Sequence, residues 1–432
     1  GAKQLLTVAI LLAACGSAIA ADPGKLTIQV DKPGAAISPT LYGLMTEEIN
    51  YSYDGGLYGE LVQNRIFQNV PPAPRGGRGG RGRGAAAAPA SAPAPTPASA
   101  PARPIGSLAH WSVYTSGGGA GTLALDQEQP VNSGALKTEV RLDITAAGGQ
   151  TGLANDGFWG IPVHPDSQYR ANFYARSGNG FSGPLTVAIV GNDGTIYASA
   201  KVDSVGQQWQ HHTVTLKTGK VAPTADAKFV LSGGSKGSLW FNLVSLFPPT
   251  FHGRVNGFRP DLMQLLDNMH PAFLRFPGGN YVEGQDFANR FNWKETIGDY
   301  SQRPGHESPW RYRSSDGMGL LEFLEWCEDL KMEPVLAVYA GYNLDRTSVP
   351  AEDYPRYAQE AVEEIEYVMG DKSTRWGAQR AKDGHPEPFK LHYVEIGNED
   401  NLGAGMGTYD ARFAVFAQAI RAKYPQLELI SS

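Results

Sequence analysis

An asparagine and a glutamate that follow an apolar run late in the sequence have the residue types for acid–base chemistry. The run 391–396 (LHYVEI) has the pattern of a strand, Gly397 ends it, and Asn398 and Glu399 come directly after. A carboxylic acid can give a proton to a reacting oxygen and take it back, and an amide can hydrogen-bond to hydroxyl groups. The alternative is structural, since the same pair could form a turn or cap the next helix.

Polar and aromatic side chains also follow three other apolar runs that we predict as strands. They are Glu47, Glu48 and Asn50 at the first run, Arg275 and Asn280 at the second, and Tyr339, Tyr342 and Asn343 at the third. Because the carboxyl ends of parallel strands meet at one face of a barrel, we expect these side chains to lie together. Carboxylates, amides and rings suit a hydroxyl-rich ligand and its cleavage by acid–base catalysis. The set has no His/Cys cluster and no Ser–His pair, so we predict neither a metal nor another cofactor.

Alternation of helical and strand-like patterns from residue 253 onward predicts an α/β region with a parallel sheet. Helical patterns at 261–269, 319–330, 351–370 and 411–425 are separated by short apolar runs. Apolar strands with polar ends favour a (β/α)8 TIM-type barrel. A doubly wound sheet is the rival, but we find neither glycine-rich phosphate loop after a strand. We expect the first barrel strand within 41–49. The span 253–432 is shorter than the roughly 250 residues of a full barrel, so we expect the barrel to be incomplete in this chain, through about strand 5.

The spacing of apolar residues predicts which helix faces are buried. The predicted inner faces are Leu262, Leu265, Leu266 and Met269 on the first helix, and Phe413, Phe416, Ile420 and Tyr424 on the fourth. Cys327 lies on the apolar face of the second helix, where a buried structural thiol is the expected role.

Composition shifts divide the sequence into segments. They are a signal peptide (1–21), a first barrel strand segment (26–70), a low-complexity Pro/Ala/Arg-Gly linker (71–104), an inserted β-sandwich (105–249) and the barrel (250–432). Short alternating runs separated by Gly, Asn, Asp and Pro predict the sandwich. Arg-Gly repeats occur in RNA-binding tails, but the net charge of −6 and the export signal lead us to predict no nucleic-acid partner. A flexible surface insertion is the expected role of the linker.

The first twenty residues have the pattern of an export signal. Lys3 supplies a basic start, 5–14 is apolar, and Ala18-Ile19-Ala20 is a cleavage pattern, so we predict a secreted or periplasmic protein. An alternative is a bacterial lipoprotein box ending at Cys15, which would carry a lipid anchor at the cell envelope. The sequence predicts no oligomeric state.

Several long motifs, in order along the chain, resemble those of one carbohydrate-active family. The motifs are LYGLMTEEINYSYDGGLYGELVQNRIF, FLRFPGGNYVEG, RFNWKETIGDYSQRPGH, SSDGMGLLEFLEWCEDL and YVEIGNED. Together they are similar to the α-L-arabinofuranosidases of glycoside hydrolase family 51. The resemblance runs from about residue 26 to the end, without the low-complexity segment. It includes the sandwich, which resembles a carbohydrate-binding-type insertion.

The resemblance implies a retaining exo-glycosidase that releases terminal α-L-arabinofuranosyl units from arabinose-containing plant polysaccharides or oligosaccharides. Glu399 would be the general acid/base, and Asn398 would bind the sugar 2-OH. Glu47 and Asn280 match residues that bind furanose hydroxyls, with Glu48 as the competitor for the role of Glu47. Trp293 matches an aromatic residue of a subsite.

The resemblance also implies a second carboxylate, the nucleophile, beyond Ser432, so we expect the chain as given to be inactive. Retaining chemistry needs two carboxyl groups about 5–5.5 Å apart. Glu395 lies on the same strand as Glu399 but roughly 13 Å away by strand rise, too far to act as the nucleophile.

Three alternatives stay open at this point. One is another retaining barrel glycosidase, such as an endo-glucanase or xylanase. A second is a non-catalytic carbohydrate-binding fragment. A third is a fragment that aggregates, because an open arc of strands exposes apolar edges.

Overall fold

A computed structural model describes residues 26–32, 34–69, 106–400 and 407–432. The predicted signal segment with Cys15 and the low-complexity linker 71–104 lie outside the described residues. The chain divides into two compact units, 1–41 and 42–432. The first unit has neither helix nor strand in its described residues, and the second contains all the elements given below. None of the helices in the described ranges has the length and apolar character that a membrane span requires.

The described residues form seventeen strands and six α-helices. The strands are β1 (Leu44–Met45), β2 (Trp111–Ser116), β3 (Ala120–Asp126), β4 (Glu139–Ala146), β5 (Gln150–Asn155), β6 (Gln168–Ser177), β7 (Leu185–Gly191), β8 (Ile196–Val202), β9 (Gln210–Lys217), β10 (Ala227–Gly233), β11 (Gly237–Phe247), β12 (Phe273–Phe276), β13 (His306–Glu307), β14 (Arg313–Ser314), β15 (Glu333–Val338), β16 (Tyr393–Ile396) and β17 (Glu428–Ser431). The helices are α1 (Pro260–Asn268), α2 (Asn280–Glu283), α3 (Leu320–Leu330), α4 (Tyr354–Met369), α5 (Arg375–Lys382) and α6 (Tyr409–Lys423).

Five strands form a parallel sheet whose spatial order follows the chain. The order is β1-β12-β15-β16-β17, and all four neighbouring pairs are parallel. Helix α3 connects β12 to β15, α4 and α5 connect β15 to β16, and α6 connects β16 to β17. A doubly wound sheet reverses its strand order at a switch point. The order seen here has no reversal and is that of a barrel-type fold.

The strands of this sheet are short apolar runs buried in the main hydrophobic core. Leu274, Leu336 and Val394 are fully buried at their centres, and helices α3, α4 and α6 pack apolar side chains into the same core. Cys327 on α3 is a free, buried thiol in this core, as predicted.

The buried face of α1 differs from the prediction. Leu265 is 62% exposed and Met269, just after the helix, is also exposed, so their predicted burial is wrong. Met263 is fully buried instead, with Leu262 and Leu266 partly buried beside it. The face that meets the core runs through Met263, and the spacing pattern placed it about a third of a turn away.

The first barrel strand is shorter than predicted. The segment 41–49 was expected to be extended, and only Leu44–Met45 pairs with β12. One further backbone bond, from Thr46 N to Arg275 O (3.2 Å), continues the contact before the chain turns. The turn brings Glu47 and Glu48 to the carboxyl end of the sheet.

Ten strands between β1 and β12 form two antiparallel sheets. Their orders are β2-β5-β10-β7-β8 and β3-β4-β11-β6-β9. Leu153 and Leu231 from the first sheet and Leu142 and Phe241 from the second lie in one buried apolar cluster. The two sheets therefore face each other across a common core, the usual way for two sheets to bury their apolar faces.

The segment after β1 attaches these sheets to the parallel sheet. Gly59 N donates to Gly257 O (3.0 Å), and Leu61 N donates to Leu246 O (3.0 Å) at the end of β11. The buried Glu60 carboxylate also accepts from Leu246 N (2.9 Å). Two backbone hydrogen bonds and the Glu60 carboxylate therefore hold this segment against the end of β11 and against Gly257, which precedes α1.

A buried ion pair holds the loop before α3, which carries side chains to the carboxyl end of the sheet. Arg303 donates to both carboxylate oxygens of Glu322 (3.0 and 3.2 Å), and each residue is 2% exposed. We expect Arg303→Met to lower the free energy of unfolding by about 3–5 kcal/mol, because the Glu322 charge is left buried and unpaired. Urea unfolding of the full-length protein measures this change.

Arg421→Met is the matched control, since Arg421 is exposed on α6. It should change the free energy of unfolding by less than about 0.5 kcal/mol. Equal, small effects of the two substitutions would show that the ion pair does not hold the loop.

Candidate active site

Arg275 joins three strands at the carboxyl end of the parallel sheet. From β12 its Nη2 donates to Glu395 Oε1 and to Asn398 Oδ1, both at 2.8 Å, and its Nε also donates to Glu395. Its Nη1 contacts Met45 Sδ of β1 at 3.4 Å. Glu395 lies on β16, two strands from β12, and in barrels alternate strands contribute side chains to one interior layer. The small Ala337 of the intervening strand lies in register with Glu395.

Glu283 orients two amide side chains through one oxygen. Its Oε2 accepts from Asn280 Nδ2 (2.8 Å) and from Asn398 Nδ2 (3.2 Å). Asn280 and Glu283 are the two ends of the short helix α2, which begins at the carboxyl end of β12. Because Asn398 Oδ1 accepts from Arg275 and its Nδ2 donates to Glu283, the orientation of its amide is determined at both ends.

Burial gives Glu283 an unusual affinity for its proton. The side chain is 1% exposed, and this burial raises its pKa to about 7. Hydrogen bonds from Asn280 and Asn398 act against the rise, whereas the negative charges of Asp400 and Glu399 add to it. Its second oxygen, Oε1, has no hydrogen-bond partner among the described residues.

Glu47 joins this group from the end of β1. Its Oε1 accepts from Tyr281 N (2.9 Å), the second residue of α2. Partial burial raises its pKa, and the Tyr281 N–H and the Arg275 charge limit the rise. Gly278 lets the two segments approach, because a Cβ there would lie 2.8 Å from Glu47 Cβ and its φ of +129° disfavours other residues.

Glu48, the competitor for this role, has a different environment. It is fully buried, and its Oε2 accepts from Tyr53 N (2.7 Å) within its own loop. Burial raises its pKa well above the ordinary value. Glu47, and not Glu48, therefore contacts the helix that carries Asn280.

Glu399 is exposed on a turn that a buried ion pair holds. The next residue, Asp400, is buried against Arg412 of α6, which donates to its carboxylate and to its backbone O (2.8 Å). Asp400 Oδ1 also accepts from Asn398 N (3.0 Å). Glu399 has a φ of +46°, in the left-handed region, which costs a non-glycine residue roughly 1–3 kcal/mol.

Trp293 is the one predicted site residue that lies elsewhere. It is 2% exposed, and its ring packs edge-to-face on Trp376 (4.7 Å between ring centres) and against Tyr367. A ring that stacks on a sugar needs an exposed face, so we do not retain the predicted subsite role. Glu47, Asn280 and Asn398 are connected through Arg275, Glu283 and Tyr281, and Glu399 follows Asn398 in the chain.

Arg275, Glu283 and Tyr281 had no role in the sequence-based prediction. Arg275 was noted only as a residue near a strand end, and Glu283 was not singled out. The signal for Glu283 was its spacing, because residues three apart on a helical turn lie on the same side and Asn280 was already a candidate. No such local signal identifies Arg275, whose partners are more than a hundred positions away in sequence.

Comparison with known proteins gives consistent results. Residues 265–432 match the Alpha-L-arabinofuranosidase 1 domain. The chain is 38% identical over 410 residues to alpha-L-arabinofuranosidase A of Aspergillus kawachii, covering 92% of this chain and 58% of the relative. It is 34% identical over 418 residues to alpha-L-arabinofuranosidase 1 of Arabidopsis thaliana, covering 94% of this chain and 56% of that protein.

A solved structure supports the same assignment. The arabinose-bound MgGH51 α-L-arabinofuranosidase superposes with a TM-score of 0.79 at 37% identity, covering 93% of this chain and 60% of that one. The chain thus spans a little under two thirds of the length of the proteins it matches. Over most of its length the chain is therefore similar to the α-L-arabinofuranosidases of glycoside hydrolase family 51.

Proposed function

We propose that the protein containing this chain releases terminal α-L-arabinofuranosyl units from plant poly- or oligosaccharides with retention of configuration. The observation that carries the proposal is the convergence of Glu47, Asn280 and Asn398 beside Glu399 at the carboxyl ends of parallel strands. This face of a barrel is where active sites form. Similarity to the α-L-arabinofuranosidases supports the same reaction.

Glu399 has the position of a general acid/base. It is exposed at the strand-end face, and the Asp400–Arg412 pair fixes the turn that presents it. When protonated it can donate to the departing glycosidic oxygen, and in the second half of the reaction it can take a proton from water. Anomeric configuration is retained because a second carboxylate, which the family resemblance implies, displaces the leaving group at the anomeric carbon and is then itself displaced by water.

Asn398 and Asn280 suit hydroxyl recognition because their amides are already oriented. A hydrogen bond to the sugar 2-OH strengthens in the transition state and contributes to rate only if the donor is held in place. Glu283 provides this constraint for both amides through one oxygen. With its pKa raised to about 7, Glu283 can stay neutral in mildly acidic solution and adds little negative charge beside Glu399.

Other carboxylates near the strand ends are engaged by their own partners. Glu395 is paired with Arg275, Asp400 with Arg412, and Glu283 accepts from two amides. We therefore assign none of these three as the nucleophile.

We also propose that the two antiparallel sheets are a carbohydrate-binding-type sandwich inserted between β1 and α1, close to the predicted 105–249. Support comes from their position in the chain and their common core. Export through the predicted leader remains part of the proposal.

Glu399→Gln in the full-length protein tests the acid/base role. We expect kcat/KM for aryl α-L-arabinofuranosides with poor leaving groups to fall on the order of 10²–10⁴-fold. With a dinitrophenyl substrate, the rate of the step that releases the leaving group should fall much less, because this leaving group needs no proton. Sodium azide should restore turnover, since a small anion can enter the vacated place.

Glu352→Gln, which removes a charge from an exposed position before α4, is the control. It should leave kcat/KM unchanged for substrates with either kind of leaving group. Equal losses for good and poor leaving groups would contradict the acid assignment. Absence of arabinofuranosidase activity in the unmutated full-length protein would contradict the proposed function itself.

Glu283→Gln tests the state of the orienting carboxyl. A folded-state pKa near 7, against an ordinary value of 4.5, means that the folded protein binds the proton more tightly. Stability therefore falls as pH rises through this window. The amide of Gln cannot titrate and does not share this loss. The free energy of unfolding of the variant, relative to that of the natural protein, should therefore rise by about 1–3 kcal/mol from pH 5 to pH 8.

Thermal unfolding at both pH values measures this difference, again with Glu352→Gln as control. A difference that is the same at pH 5 and pH 8 would mean that Glu283 has an ordinary pKa.

A further inference from the structure

Trp159 is an exposed tryptophan on the loop that follows β5 in the antiparallel sheets. All eight tryptophans of the sequence lie in the described ranges, and Trp159 is the one whose side chain is exposed, at 68%. A large ring held in water commonly marks a contact site for a ligand.

The loop that carries Trp159 is held by many contacts. Asn155 is buried, and its Oδ1 accepts from Gly157 N (2.9 Å) while its Nδ2 donates to Gln63 O (2.9 Å) after β1. Gly160 has a φ of +89°, and a Cβ there would lie 1.8 Å from Ala225 O. The loop is therefore held against the segment after β1 and against the segment before β10, and the Trp159 backbone is constrained before any ligand binds.

Aromatic contacts connect Trp159 to the loop after β1. Its ring meets the edge of Tyr51, with ring centres 5.8 Å apart, and Tyr51 stacks on Tyr312 at 4.1 Å. Phe158 supports Tyr51 from the side (5.9 Å) and fills the space above Gly55, where a Cβ would lie 2.4 Å from its ring. We call Trp159, Tyr51 and Tyr312 the aromatic row.

The aromatic row is continuous with the candidate active site. Tyr51 follows Glu47 by four residues, and their loop is closed by bonds from Ile49 N (2.8 Å) and from the Ser52 hydroxyl to Glu47 O. Tyr51 N donates to the Tyr312 hydroxyl at 2.8 Å, which fixes the stacked pair. Movement of the row would therefore disturb the loop that presents Glu47.

On its other side Trp159 borders open space. A cavity of about 470 Å³ lies between the antiparallel sheets and the start of α1, and Trp159, Phe158, Tyr58, Pro162, Pro248 and Pro249 are among its lining residues. Rings and prolines make up half of this lining, which also includes Glu60, Arg259 and Asp261, and they suit the C–H faces of sugar rings. The volume is in the range of ligand-binding clefts.

The geometry points to Trp159 as a platform for the neutral sugar units of the polymer next to the arabinosyl unit that is removed. This inference rests on the proposed function. The antiparallel sheets would then contribute directly to the substrate surface of the parallel sheet. Neutral units are favoured over uronic acids, because the Glu47 carboxyl group lies in the same loop as Tyr51 and disfavours a polyanion.

Trp159→Ala in the full-length protein tests the platform on two substrates, neutral arabinoxylan and p-nitrophenyl α-L-arabinofuranoside. We expect kcat/KM on arabinoxylan to fall about tenfold, mainly through KM, with a much smaller fall on the aryl glycoside. Trp159→Phe keeps a ring and should recover most of the loss. Ile196→Ala removes another exposed apolar side chain from the antiparallel sheets and should leave kcat/KM unchanged on both substrates.

The outcomes separate this inference from the proposed function. Hydrolysis of both substrates by the natural protein, with parallel losses or no loss in Trp159→Ala, would refute the platform alone. A loss of kcat/KM on arabinoxylan that is as large in Trp159→Phe as in Trp159→Ala would also refute it. Failure of the natural protein to cleave the aryl glycoside would refute the function on which the platform depends. A melting temperature for Trp159→Ala close to that of Ile196→Ala shows that the comparison is made on folded protein.

Discussion

Arg275 is a largely buried cation near the carboxyl end of the parallel sheet, and a charge in such a place is stable only if it is paired. Its guanidinium is mostly withdrawn from water and binds Glu395 through two nitrogens and Asn398 through one. Removing Arg275 or Glu395 would leave the other charge buried without compensation, at a cost of about 3–5 kcal/mol. The other contacts of the site depend on the hydrogen bond from Arg275 to Asn398. Asn398 in turn donates to Glu283, and Glu283 accepts from Asn280.

The arrangement separates the groups that position from the group that reacts. Arg275, Glu283, Asp400 and Arg412 are mostly or fully buried and are engaged with protein partners, whereas Glu399 stands exposed on the turn they support. The backbone of Glu399 is in the left-handed region, a conformation that the surrounding hydrogen bonds maintain. Strain of this kind persists where the neighbouring structure over-determines it, and it is consistent with a functional role.

Sequence patterns predicted the strand ends well because that information is local. An apolar run that stops at Gly397-Asn398-Glu399 contains its strand, its turn and its polar end within a few residues. Burial that depends on distant partners was not predictable in this way. Trp293 looked suitable for a sugar, and only the packing of Trp376 against it places it in the core. Leu265 fits an apolar stripe, but the orientation of α1 on the sheet leaves it in water. The partners of Arg275 could be predicted only from the register of β12 and β16 on the strand between them, β15.

A crystal structure of the full-length protein with a non-hydrolysable, sulfur-linked arabinofuranoside is the most direct test of the whole account. The account predicts the furanose ring among Glu47, Asn280 and Asn398, with a Glu399 carboxyl oxygen about 3 Å from the bridging sulfur. A sugar bound at another place, or a Glu399 carboxyl group turned away from the linkage while the ring occupies this face, would contradict it.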